Sequence, residues 1–153
     1  MPGTRSLAVG LLIIGSAIGA TGTANAVEGR FRGAYVCEKL PMTRDILRVP
    51  LDMTIRNGEA QFARPLFGLN GPPVVGSELA SGSVDGDGMM HLESRWGLLG
   101  NTAAGAYLGR ITESGGTLTG TQTWTGAQGG EPVVRTCTIA VVPAPKIRGA
   151  ALP

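Results

Sequence analysis

The chain is poor in the residues that most chemistry needs. Among 153 residues there are two cysteines, one histidine, two tyrosines and two tryptophans. A single histidine leaves no pair for a multi-histidine metal site. His91 also alternates out of phase with Met90 and Leu92, which sets it toward solvent and away from any Ser-His-Asp arrangement. Charge is equally thin, with 13 basic and 11 acidic residues. A balance this close to neutral argues against nucleic acid or an acidic membrane surface as partner. Lys39 and Lys146 are the only lysines, so the other 11 of the 13 basic residues are arginine, a bias we ascribe to genomic composition before function. Long helical periodicities are missing too. With no helix following a strand, a glycine-rich phosphate loop has nowhere to form.

What is present first is an export pattern. Arg5 precedes an apolar run from Leu7 to Ala20, and Ala24-Asn25-Ala26 fits the small-x-small cleavage rule. The run is shorter than the roughly 20 residues a membrane span needs. We therefore expect residues 1–26 to be a cleaved signal peptide, with Val27 opening the mature chain. No cysteine lies in or just after the run and Arg5 has no arginine neighbour, which speaks against lipid or twin-arginine routes. The expected address is the periplasm, or beyond it, after signal cleavage. Removing 26 of 153 residues leaves 127, enough for one domain.

The 25 glycines and 10 prolines punctuate short segments of alternating polarity, the pattern of an all-β sandwich or barrel. Eight segments are expected as strands: Arg30–Glu38, Leu47–Arg56, Glu59–Leu66, Val74–Val84, Met89–Trp96, Ala103–Thr112, Thr117–Thr125 and Val133–Val142. Residues 27–142 form the expected domain, and the Pro-containing segment 143–153 is expected to be a disordered tail.

Turn chemistry sets register. Asn57-Gly58 suits a type I′ hairpin, whose two central residues need positive φ. It places Arg56 opposite Glu59 and Met53 opposite Phe62. Pro50 then faces Pro65, a rung without donors, so the ladder should end there. A loop over Glu113 to Gly116 would place Ile111 opposite Leu118, Gly109 opposite Gly120 and Tyr107 opposite Gln122. Across the next connection Gln122 meets Arg135.

Connections at one end are tight (Asn57-Gly58, Asp85 to Gly88, Glu113 to Gly116). Those at the other are long: Lys39 to Asp45, Phe67 to Pro73, Gly97 to Thr102 and Gly126 to Glu131. This alternation predicts an eight-stranded antiparallel up-and-down barrel, loop-covered at one end. Closure makes the first and last strands neighbours, so Cys37 and Cys137 are expected to pair across the seam. At the loop-covered mouth, Trp96 and Trp124 stand at strand ends, with Tyr107, Gln122 and Arg135 as a polar ladder inside the rim. Two uses fit them. They form a pocket with aromatic walls and fixed polar groups, or the indoles plug the mouth while Arg135 reaches water.

Other constellations are weaker. Asp85-Gly86-Asp87-Gly88 has two acids at calcium-loop spacing, but Met89 takes the next odd position and a hairpin turn explains the stretch. No two carboxylates are brought together inside the barrel by the register, so a two-carboxylate hydrolase is not expected.

Gly33-Ala34-Tyr35-Val36-Cys37 and Arg135-Thr136-Cys137-Thr138-Ile139 resemble the strand ends of small exported bacterial β-barrel proteins. The eight-strand plan is similar to the calycin-like barrels, which include avidins and lipocalins, and to small periplasmic barrels that inhibit hydrolases. No functional residue is carried over from that resemblance. With no catalytic, cofactor or metal motif in the chain, the expected function is a non-catalytic binding module. Its first expected partner is a protein, such as an exported hydrolase it inhibits, met through the apolar Phe67, Leu69, Leu98 and Leu99 of the long loops; the alternative is a small apolar or amphipathic ligand held at the mouth.

Overall fold

The computed structural model describes residues 27–41, 45–68, 71–98, 100–126 and 130–145; the expected signal peptide and the end of the tail lie outside them. Eight strands form one closed antiparallel barrel in which every strand pairs with its sequence neighbour. They are β1 (Gly29–Cys37), β2 (Leu47–Arg56), β3 (Glu59–Gly68), β4 (Gly71–Val84), β5 (Met89–Leu98), β6 (Asn101–Thr112), β7 (Gly115–Thr125) and β8 (Val133–Pro143). The seam closes through β1 and β8, where Cys37 faces Cys137. The two are joined by a disulfide with Cα atoms 4.0 Å apart. Pro143, expected at the head of a disordered tail, instead ends β8 opposite Phe31. Just beyond it, Ala144 N donates to Arg30 O at 2.8 Å.

The β2–β3 hairpin follows its turn residues. Asn57 and Gly58 have φ of 53° and 76°, the left-handed conformation that a type I′ turn demands. Arg56 faces Glu59 and Met53 faces Phe62 as expected, and the β2–β3 ladder stops at Asp52–Ala63, below the Pro50–Pro65 rung. The β6–β7 hairpin corrects the sequence reading. Its turn is the two residues Glu113-Ser114, so Thr112 pairs with Gly115 and every later rung moves by two. Ile111 therefore faces Gly116, Gly109 faces Leu118 and Tyr107 faces Gly120. The reason is local: Thr112 Oγ1 bonds Gly115 O and Ser114 within the turn, and Gly115 takes φ +114°. A shift of two leaves every side chain on its expected face, and Gln122 still meets Arg135. The Asp85–Gly88 segment is a hairpin turn in which Asp85 Oδ1 accepts from the amides of Asp87 and Met89.

Two connections expected to be long are strand instead. β3 and β4 remain paired past Phe67 to Gly68–Gly71, with register shifts that leave Val75 and then Pro72-Pro73 as extra residues on β4. Bulged positions accept proline because no ladder donor is required of them. β5 and β6 likewise extend to Leu98–Asn101. The β4–β5 ladder, however, stops at Ala80–Ser94. Beyond Ala63 and Ala80, then, the β3–β4 hairpin pairs only with itself among the described strands.

The interior divides into two halves. Toward the tight turns it is apolar, with Met53, Ile55, Met90, Leu92, Ile111, Leu118 and Ile139 essentially without solvent contact. Above them the rings of Tyr35, Phe62 and Tyr107 form a layer with centroids 5.8 to 6.0 Å apart. Every buried charged side chain described lies on the mouth side of that layer.

Candidate functional site at the barrel mouth

Strand alternation places the site. From Met53 and Phe62, period two along β3 points Arg64 and Leu66 inward; from Val84, the same count along β4 points Ala80 and Glu78 inward. Arg64 and Glu78 face each other as a cross-strand pair. Arg64 Nη2 lies 2.5 Å from Glu78 Oε2, with side chains 2% and 0% exposed. The contact is an ion pair without hydrogen-bond alignment, since Arg64 Nη2 and Nε both lack a hydrogen-bond partner. Only Nη1 is bonded, to Pro65 O at 3.3 Å. The guanidinium lies over the Tyr35 ring at 4.4 Å and near the Trp96 ring at 5.6 Å, where the ring faces attract its charge.

Glu78 is the acceptor at the centre of the site. Its Oε1 takes hydrogen bonds from Ser94 Oγ at 2.7 Å and Tyr107 Oη at 3.0 Å. Because the Tyr107 proton goes to the carboxylate, the 2.7 Å contact between the two phenols runs from Tyr35 as donor to Tyr107 as acceptor. Gln122 Nε2 donates to Tyr35 Oη and, at 3.5 Å, to Glu78 Oε2. Its Oε1 accepts from Arg135 Nε at 2.8 Å and Trp124 Nε1 at 3.2 Å. The amide of Gln122 is thereby fully engaged. Gly105 makes room for this arrangement: a Cβ there would overlap the Tyr107 hydroxyl and stand 2.7 Å from Ser94 Oγ.

Burial shapes the ionisation. Loss of hydration raises Tyr35 well above the ordinary phenol value, and the Glu78 charge adds to the effect. The same two causes, in the same order, push Tyr107 up to about 12. Both phenols are therefore neutral hydrogen-bonding groups at neutral pH. Arg135 is lowered chiefly by burial. It is 7% exposed and also donates from Nη1 to Glu38 O at 3.3 Å. That corrects the reading in which it reaches water with a solvated charge.

The two tryptophans meet because Ala103 separates them on one rung, paired with Trp96 on one side and Trp124 on the other. The indoles pack edge to face, centroids 5.7 Å apart at 89°. Trp96 is buried with its Nε1 unpartnered, while Trp124 is half-buried.

All five mouth residues named from the sequence thus join one assembly. Trp124, Gln122 and Arg135 are bonded directly, Tyr107 enters through Tyr35, and Trp96 through Trp124. The loop residues fare differently. Phe67 and Leu98 are half-buried strand residues, not loop tips; Leu69 and Leu99 lie outside the described residues. Sequence reasoning did not name Tyr35, Arg64, Glu78 or Ser94 for the site. Counting by twos from Phe62 along β3 and from Val84 along β4 would have put Arg64 and Glu78 on the inward face, so the signal was available. No family model matches the chain, and no curated protein or solved structure matches it significantly.

Proposed function

We propose that the protein is an exported, non-catalytic binding module that holds a small amphipathic molecule at the mouth of its barrel. The observation that carries this reading is the one-sided interior: Arg64, Glu78, Ser94, Gln122 and Arg135 are all buried at the mouth end, under a pair of indoles. A core built for stability alone gains little from such groups, because buried ion pairs roughly break even against apolar side chains of the same volume. Aromatic walls around a few fixed polar groups suit ligand recognition instead. Catalysis is a weaker fit. Glu78, the one buried carboxylate among the described residues, is tied to Arg64, Ser94 and Tyr107, and the phenols are held neutral. Export is supported by the signal-like segment and by a disulfide, which persists in oxidising compartments.

Titration with Nile red, a neutral amphipathic fluorophore, tests the reading. Saturable one-to-one enhancement that Trp124→Ala removes supports it; no enhancement at any concentration overturns it. A protein partner is the second reading, favoured by apolar side chains exposed toward the same end, Ile46 at 59% and Val134 at 58%. Replacing both with Ser should leave Nile red binding unchanged under the first reading, and abolish capture of a protein partner under the second.

A further inference from the structure

The hydrogen-bond inventory of the mouth is unbalanced in one direction. Among the described residues, the buried side-chain atoms without hydrogen-bond partners are Arg64 Nε, Arg64 Nη2 and Trp96 Nε1; all three are N–H donors, and of them only Nη2 already touches a carboxylate, that of Glu78. The charges are unbalanced the same way: among the described residues, two buried guanidinium groups, Arg64 and Arg135, accompany one buried carboxylate, Glu78. Native interiors rarely leave buried donors unmet or an extra charge uncompensated. Both deficits are removed by one group that accepts hydrogen bonds and carries a single negative charge.

From this we infer that the mouth takes a small monocarboxylate, its head on Arg64 and Trp96 Nε1 and its apolar body along Trp124. The inference rests on the ligand-binding reading above and adds the chemistry of the ligand. Arg64 Cζ lies 5.6 Å from the Trp96 ring centroid, which makes the two donor groups neighbours. The two oxygens of one carboxylate can each accept a bond of about 2.9 Å from a different donor. Arginine and indole N–H are both suited to that acceptor, and charge assistance makes the arginine bond the stronger. Depth limits the body. The Tyr35–Phe62–Tyr107 layer fills the barrel beneath Arg64, so a long chain cannot thread inward. The body must turn out toward Trp124, which is half-buried and presents aromatic surface there. A dianion is disfavoured because only one positive charge is left over. A cation or a pure donor finds no orphaned side-chain acceptor among the described residues.

Both tryptophans of the chain are at this site, so intrinsic fluorescence reports it without a label. The full protein is titrated with phenylacetate and octanoate, with their neutral amides, and with inorganic phosphate. The expected result is saturable change with at least one carboxylate, at least ten-fold weaker with its amide and absent with phosphate. Trp96→Phe removes the donor together with the pyrrole part of a buried indole, so some stability is lost; it should weaken carboxylate binding several-fold more than it weakens amide binding. Arg64→Gln should remove the preference for carboxylate over amide. Equal binding of acid and amide overturns the carboxylate assignment and leaves the amphipathic-ligand reading standing. Phosphate binding as tight as the carboxylates, or Trp96→Phe without effect, also overturns it. No response to any of these probes, with no Nile red binding either, overturns both readings.

Discussion

The Arg64–Glu78 pair offers the sharpest test of how the barrel interior is held. Neither side chain is more than 2% exposed and the closest atoms are 2.5 Å apart. Taking charge centres about 4 Å apart and an effective dielectric near 20, the attraction is about 4 kcal/mol. Breaking such a pair from one side strands the other charge without water, at a typical cost of about 3 to 5 kcal/mol. Glu78→Gln is the informative change, because an amide oxygen still accepts from Ser94 and Tyr107. It removes charge while keeping those hydrogen bonds. It also leaves Arg64 and Arg135 with no buried counter-charge, so its loss should fall within that range. Arg64→Met strands the carboxylate, but Ser94, Tyr107 and Gln122 still donate to it, so its loss should be smaller. With both changes together no member of the pair remains charged, and the double variant should be more stable than Glu78→Gln alone. Urea unfolding of the four proteins, folds checked by circular dichroism, gives the coupling energy directly. Additive losses, with the double variant the least stable, would refute the reasoning.

Four further outcomes are expected. Replacing Cys37 and Cys137 with Ser should cost about 2 to 5 kcal/mol, the usual range for a small secreted domain, measured by denaturant unfolding. Stability should fall at alkaline pH: Tyr107 ionises at about 12 when folded but near 10 when unfolded, so the unfolded chain releases its proton first. The Tyr107 contribution is intact below pH 10 and is lost between pH 10 and about 12 at up to about 1.4 kcal/mol per pH unit; Tyr107→Phe should flatten that slope in unfolding curves. Gly58→Val should destabilise the β2–β3 hairpin by more than about 1 kcal/mol, because Gly58 sits at φ 76° and branched side chains resist that conformation. Gly105→Ala should cost about 1 to 3 kcal/mol by crowding the Tyr107 hydroxyl, and near-ultraviolet circular dichroism should report the displaced ring.

Strand number, order and closure were legible because they depend on alternation and turn residues, both local. Asn57-Gly58 carried its register across to Phe62 without error for that reason. The Glu113–Gly116 turn was misjudged by two residues because two adjacent glycines pair as readily as they loop. The Phe67–Pro73 segment read as loop since prolines usually end ladders, whereas here they occupy bulges on a hairpin paired only with itself. The site was half legible. Gln122 and Arg135 share one rung and Trp124 lies two rungs further along β7, so all three follow from alternation alone. Glu78 and Arg64 were overlooked because a charge in a strand ordinarily means the solvent face; only the inward count from Phe62 and Val84 overrides that expectation.

The central claim is that the mouth is a binding site and not a plug, and Trp124→Ala decides between the two most directly. Trp124 is half-buried and packs against the Leu66, Trp96 and Ala103 cluster; the change loses that partial packing, one edge-to-face contact and one hydrogen bond to Gln122. A stability loss of about 2 kcal/mol is expected, with Nile red binding removed. A loss of about 3 to 5 kcal/mol, as for a fully buried aromatic, together with Nile red binding gained where the wild type has none, would contradict it.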